Sequence, residues 1–374
     1  MELTHFFYKE PTWELTQAIP FKAVNLLVGK NAVGKSKVIA AIFNMANIIL
    51  QQDMPFVSRI SCSSTFSFKD EEEVIEYHFT YQRGIITEEN LTINGQNLLN
   101  RNEKETLLEG MPINPPTDKL TLHVRRDIIQ YPYFEKIITW AENVYGQRFN
   151  EIEADRGNKT DSFLSPIHKD DLFTMVKSLP SESIQRIIEQ AQNLDYHLEA
   201  IKTFKPERFK IVLFKEKGIK EPLFISSLSK GMCRAISLLI QMEYLSAQGK
   251  PSLWLIDDLG EGLDYDRTVK LGKLLFDFCH ERGIQLLASS NDTFLMDIVD
   301  LQYWNILERK GEKVMPVNTT NSPDLFEDFK FTGLSNFDFF SSDYISRHTD
   351  KNSTGYRHYT RPGNYSLSSG QTTE

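Results

Sequence analysis

The sequence predicts an α/β protein: a mixed, largely parallel sheet with an antiparallel β subdomain and a helical insertion. Three observations carry that prediction. The apolar run Val24–Val28 leads into a glycine-rich loop and then an apolar-striped helix. Over residues 65–93 the hydrophobic period switches to two. From residue 235 to 288 helical and strand patterns alternate, as in a parallel sheet with helical crossovers.

The first of these is the most specific. Gly29-Lys30-Asn31-Ala32-Val33-Gly34-Lys35-Ser36 fits G-x-x-x-x-G-K-[ST], the pattern of a phosphate-binding loop, between a strand and a helix. Glycines let successive backbone N–H groups close round a triphosphate, and the following helix aims its positive end at the same point. Lys35 is placed to reach the outer phosphates, and the Ser36 hydroxyl to hold Mg²⁺. A structural glycine turn is the competing reading. The stripe Val38, Ile39, Ile42, Phe43, Ala46 and Ile49 supplies the buried helix that a nucleotide site requires. ATP or GTP is the expected ligand.

Further along, Ile75, Tyr77, Phe79 and Tyr81 alternate with polar neighbours, and Asn94-Gly95 marks a tight turn. Thr121–Val124 reads as another strand. From Tyr133 the pattern turns helical, with Ile137, Ile138, Ala141 and Val144 on one face. Residues 150–205 read as mostly helical, Ile184, Ile187, Ile188, Ala191 and Leu194 making the clearest stripe. Phe209, Ile211 and Leu213 then alternate towards a turn at Lys217-Gly218, suggesting a hairpin. Residues 235–245 and 268–279 read as helices, 253–256 and 285–288 as strands, and a last hairpin turns at Lys310-Gly311.

The organisation expected is a lobe over 1–124, a helical insertion over 125–205 and a second lobe over 206–320. A Phe- and Asp-rich segment follows over 321–345, expected to pack against the chain's own sheet. Over 346–374 aliphatics nearly vanish, as in a mobile tail.

Composition narrows the class. Among 374 residues, hydrophobic and charged fractions of 40% and 25% are those of an ordinary soluble protein. No apolar run approaches the roughly 20 residues of a membrane span, so no membrane partner and a cytoplasmic setting are expected. Cys62, Cys233 and Cys279 have no metal spacing and read as reduced, buried thiols. A net charge of −9 argues against bulk electrostatic coating of nucleic acid, while leaving room for a local basic patch. Residues 205–220 are lysine-rich, but Glu207 and Glu216 interrupt them and Glu221 follows, so a solvated hairpin surface is the expectation.

The strand Leu253-Trp254-Leu255-Ile256 ends in Asp257-Asp258. Beside a phosphate loop, the first carboxylate can hold the Mg²⁺ shell and the second orient an attacking water. The alternative is a strand that meets an acidic loop by chance.

Asp257-Asp258-Leu259-Gly260-Glu261-Gly262-Leu263-Asp264 resembles the Walker B segment plus D-loop of ABC-type ATPases. Leu228-Ser229-Lys230-Gly231-Met232, opening a helix, resembles that family's Leu-Ser-Gly-Gly-Gln signature. Ala288-Ser289-Ser290-Asn291-Asp292 follows a strand where the family carries its switch histidine. Within the family the chain is similar to the stand-alone AAA-15/AAA-21 group, relatives of the OLD, RecF and SMC ATPase heads. It lacks the long heptad arms of SMC proteins.

The resemblance implies a P-loop NTPase fold of ABC/SMC-head type that uses ATP and Mg²⁺. It implies catalytic roles for Lys35, Asp258 and Asn291, nucleotide contacts from Gly29 through Ser36, and metal contacts from Ser36 and Asp257. It also implies a head-to-tail homodimer around two ATPs. There Ser229 and Gly231 cap the nucleotide held by a second copy's Lys35, and Asp264 crosses the interface. Many members of the group serve with a neighbouring gene product in phage defence or toxin–antitoxin systems, so a partner effector encoded nearby is expected. A RecF-like DNA-binding repair ATPase, for which nucleic acid is the partner, and a non-hydrolysing nucleotide sensor are the alternatives.

The departures matter. Asp258 stands where the family has a glutamate, one methylene closer to the backbone, which predicts turnover at the lower end of typical enzyme rates or below. Asn291 replaces the histidine, and Lys230 and Met232 loosen the signature. Gln130, flanked by Arg125 and Arg126, is the candidate Q-loop residue. Tyr8 and Trp13 are the aromatic candidates for an adenine stack, with core packing the weightier reading. His78, His123 and His280 form no ligand spacing, and no nucleophile elbow surrounds Ser289 or Ser290.

Overall fold

The computed structural model describes residues 1–51, 61–147, 172–205 and 210–341. The chain opens with β1 (Glu2–Glu10), β2 (Trp13–Leu15), β3 (Ile19–Pro20) and β4 (Val24–Val28), then α1 (Lys35–Ile49). A meander follows: β5 (Ser61–Asp70), β6 (Glu73–Gln82), β7 (Ile85–Ile93), β8 (Gln96–Arg101), β9 (Thr106–Leu108) and β10 (Met111–Ile113). Next come α2 (Thr121–Val124), α3 (Pro132–Glu142), β11 (Val144–Gln147), α4 (Leu172–Ser178) and α5 (Ser181–Asn193). A small sheet of β12 (Leu198–Phe204), β13 (Ile211–Glu216) and β14 (Leu223–Phe224) precedes α6 (Lys230–Gln248). The chain continues through β15 (Ser252–Ile256), α7 (Tyr265–Arg282), β16 (Ile284–Ser289) and α8 (Thr293–Ile298). Last come β17 (Trp304–Lys310), β18 (Lys313–Val317), α9 (Pro323–Lys330) and α10 (Asn336–Ser341).

The main sheet runs β10-β9-β8-β7-β6-β5-β1-β2-β18-β17-β4-β16-β15-β11, with β3 beside β1. Its β17-β4-β16-β15-β11 half is parallel and its β1-to-β10 half antiparallel. The parallel strands β4, β15 and β16 are buried at every residue, because helices cover both faces. Side chains alternate between two cores. Leu26, Trp254 and Leu286 point into the one built with α6 and α7, while Leu27, Leu253 and Leu287 point into the one built with α1 and α3. The loops that follow β4, β15 and β16 therefore all leave the C-terminal ends of strands held from both sides.

Several expectations are corrected. Residues 121–124 form a helical turn, not a strand: the buried Glu89 carboxylate accepts from Thr121 N at 2.7 Å and Thr121 Oγ1 at 2.8 Å, satisfying the donors that start a helix. Val144 leaves the α3 face and begins β11, an edge strand parallel to β15. Residues 198–204, expected helical, are β12, antiparallel to β13. In β13 the buried residues are Val212 and Phe214, the opposite phase from Ile211 and Leu213. The aromatic segment does pack on the chain itself, with Phe326, Phe329 and Phe339 buried against one another. Phe209, the helical reading of 150–171 and the tail at 346–374 lie outside the described residues.

Candidate functional site

Between β4 and α1 the loop passes through left-handed backbone at Ala32 (φ 65°) and Gly34 (φ 115°). Gly34 is required twice over: its φ disfavours any side chain, and an added Cβ would sit 2.4 Å from Trp13 Nε1. Trp13 plugs the underside of the loop and donates from Nε1 to Val33 O at 3.3 Å. Tyr8 and Trp13 are thus core residues, 4% and 2% exposed, with no open ring face for a base. No side chain caps α1, which leaves the amides at its N-terminus for an anion. Lys35 is buried and donates to Gly29 O at 2.6 Å and Lys30 O at 3.3 Å. Arg309, on the neighbouring β17, steadies the loop by donating to Ala32 O at 3.2 Å.

At the end of β15, Asp258 adopts left-handed backbone (φ 59°), uncommon for a residue with a side chain. It is pinned on both sides. Its N–H donates to Ser289 Oγ at 2.8 Å, and its carbonyl accepts from Arg234 Nη2. The same Ser289 hydroxyl donates to Asp257 Oδ1 at 2.7 Å. Ser290 Oγ donates to Leu259 O at 2.7 Å, so β16 ties down the whole acidic turn.

The motifs converge. Lys35 lies in the electrostatic field of Asp258 and Asp257: burial lowers its ammonium pKa and the two carboxylates oppose that shift. Asp258 is raised above the usual carboxylate range, first by burial and then by Asp257 and Glu261, with Arg234 and Lys35 pulling the other way. Asn291, just past β16, donates from Nδ2 to Asn31 Oδ1 at 3.0 Å. Ser36 and Asp257 offer hydroxyl and carboxylate oxygens, hard donors that suit Mg²⁺. Among the described residues no cluster of three His, Cys, Asp or Glu side chains could hold an ion alone.

Ser229 caps α6, accepting from Met232 N at 3.2 Å. It opens onto a cavity of about 510 Å³ lined with Tyr196, His197, Met232 and Arg267 among others, none of them from the 29–36 loop. Gly231 lies against the D-loop: an added Cβ would approach Gly262 O to 2.5 Å. Asp264 caps α7, accepting from Arg267 N at 3.0 Å, and also pairs with the Arg267 guanidinium; the backbone N–H first, and the guanidinium after it, hold its carboxyl below the usual range. Arg267 itself stacks over Tyr196, 4.5 Å from the ring centroid.

Arg234 and Arg309 escaped the sequence reading, as did the role of Ser289 in holding the two aspartates. Arg234 is 4% exposed and donates to Glu261 O at 3.1 Å and Asp257 O at 3.0 Å. A lone arginine on a helix buried from Gly231 to Leu245 was the available signal. Gln130 is exposed in a turn, its N–H donating to Asp127 Oδ1 at 2.9 Å, and Arg126 pairs with Glu135 at 2.6 Å. Cys62, Cys233 and Cys279 are free and buried, and burial pushes the Cys233 thiol up to about 11. No described helix is long and apolar enough to cross a membrane.

A family model described as "AAA domain, putative AbiEii toxin, Type IV TA system" matches residues 24–297, from β4 into α8. No curated protein matches the chain. Among solved structures, an SMC head bound to the C-winged helix domain of ScpA superposes with TM-score 0.54 at 12% identity, over 87% of this chain and 100% of that one. The SMC head domain from Thermotoga maritima gives 0.46 at 16% identity, over 85% and 99%. An SMC head with an extended coiled coil from Pyrococcus furiosus, bound to the C-terminal domain of ScpA, gives 0.49 at 12%, over 88% and 99%. At these identities the first of them shows the fold alone: a P-loop NTPase of SMC-head type.

Proposed function

Because the chain belongs to this AAA-domain family, we propose that it is a slow ATPase whose ATP-driven pairing with a second copy controls a partner effector. The partner is encoded nearby, in a toxin–antitoxin system, the setting that the family description names, or in phage defence. The observation that carries the enzymatic reading is the convergence of Lys35, the adjacent pair Asp257 and Asp258, and Asn291 from three separate stretches of chain.

In this reading the α1 N-terminus and the Gly29–Gly34 amides receive the phosphates, and Lys35 exchanges its loop carbonyls for phosphate oxygens. Mg²⁺ held by Ser36 and Asp257 would supply charge neutralisation at the phosphates. Asp258 accepts the proton of the attacking water, and Asn291 orients that water or the γ-phosphate. Ser229 opens onto a cavity without P-loop residues, which supports its use on the nucleotide of a second copy.

Lys35→Ala should abolish nucleotide binding, seen as loss of the melting shift with Mg-ATP. Asp258→Ala should trap an ATP-bound dimer in sedimentation. A monomeric Asp258→Ala protein at saturating Mg-ATP would sink the pairing mechanism. Steady-state turnover with and without duplex DNA, with Lys35→Ala as blank, separates this reading from a DNA-stimulated clamp.

A further inference from the structure

The β12-β13-β14 sheet has two unlike faces. Ile201, Val212 and Phe214 point inward and are buried with α4, α5 and α6. Strand register places Lys202, Leu213 and Phe224 in one row across the outward face, and Phe204 beside Ile211 in the next row of that face. Phe204 and Phe224 are 55% and 52% exposed. They stand on the two outer strands, so about 10 Å separates them across β13.

The charge here opposes that of the chain. Residues 198–224 carry six lysines and one arginine against four glutamates, within a protein of net charge −9. Lys202 lies on the face, while Lys205, Lys217 and Lys220 are exposed at its ends. Lys215 donates to Lys220 O at 2.8 Å and to Ile219 O, which locks the hairpin turn.

A sheet face with two half-exposed rings and a lysine rim suits planar groups strung on a polyanion. Single-stranded nucleic acid meets both demands, offering a π-face to each ring and phosphates to the lysines. A duplex hides its base faces in the stack. An acidic peptide offers carboxylates to the lysines but few planar faces to the rings. We infer that this face binds single-stranded nucleic acid, Phe204 and Phe224 each stacking a base and Lys202 pairing with a phosphate. The site lies away from the Lys35 loop, on the hairpin whose Glu216, Ile219 and Leu223 help line the Ser229 cavity, and it does not rest on the ATPase reading.

Fluorescence anisotropy of the full chain with labelled oligothymidylate and oligouridylate, each roughly 15 nucleotides long, tests it. Both probes compete for one site, and their ratio distinguishes DNA from RNA. Binding should weaken steeply with salt. Phe204→Ala and Phe224→Ala should each weaken it roughly tenfold, whereas Phe204→Trp should retain it. Lys202→Glu should weaken it and flatten the salt slope by about one unit. An unchanged thermal melting transition in each variant, without nucleotide, reports that the fold survives. The inference is overturned if neither probe binds at low salt or if both phenylalanine variants bind as the parent does. Competition by duplex DNA or polyglutamate equal to that of the single strand would overturn it too, since the face would then read charge alone.

Discussion

Asn291 Nδ2 donates to Asn31 Oδ1 at 3.0 Å, joining the end of β16 to the phosphate loop across 260 positions of sequence. The residue in the switch position is thereby aimed at the loop before any substrate arrives. If the bond orients both amides, Asn31→Ala and Asn291→Ala should each lower kcat by roughly tenfold. The double variant should then be little worse than either, a coupling of about 0.5–3 kcal/mol. Simple additivity in a double-mutant cycle would show that the two side chains act independently.

Asp258 links activity to pH and to stability. Its folded pKa lies above the unfolded one, so its carboxylate weighs against the fold at pH above the ordinary carboxylate range, and that penalty fades below about pH 4. Asp258→Asn should therefore raise the melting temperature of the nucleotide-free protein at neutral pH, leave it unchanged in acid, and remove turnover. In the parent, turnover should fall as pH drops through the raised pKa, an acid limb above about pH 4. A variant no more stable at neutral pH would show that other groups offset the desolvation of Asp258.

Ser289 holds both carboxylate residues, accepting from Asp258 N at 2.8 Å and donating to Asp257 Oδ1 at 2.7 Å. Ser289→Ala leaves the half-buried Asp258 amide without its acceptor, at a cost of about 1 kcal/mol in urea unfolding. Turnover should fall more than ATP affinity does, because the strained turn at Asp258 loses one of its two anchors. Equal losses in both would place Ser289 in folding only.

Arg234 and Gly231 couple the signature helix to the acidic turn. Arg234→Ala removes a buried cation bonded to three backbone carbonyls, and should cost about 2–4 kcal/mol by loss of charged hydrogen bonds. The Glu261 partner is half-exposed and adds little. Gly231→Ala drives a methyl to 2.5 Å from Gly262 O and must displace the D-loop. ATP-dependent dimerisation, followed by light scattering, should weaken in Gly231→Ala while Mg-ATP still shifts its melting temperature.

The sequence by itself determined the α/β class, the strand–loop–helix at residues 24–49, the parallel crossovers after residue 230 and the identity of the motif residues. Those signals are local: glycine spacing, apolar runs buried on both faces, and alternation between periods of two and 3.6. Tertiary structure decided the rest. Residues 121–124 are helical because Glu89, distant in sequence, satisfies their first donors, and residues 198–204 are a strand because β13 supplies a ladder. Trp13 is a plug and not a base platform because β2 lies beneath the phosphate loop. Arg234 and Ser289 matter only because α6 and β16 end beside β15, a proximity that no local pattern encodes. Propensity and periodicity report what a segment can bury. Which buried partner it meets is settled by long-range packing.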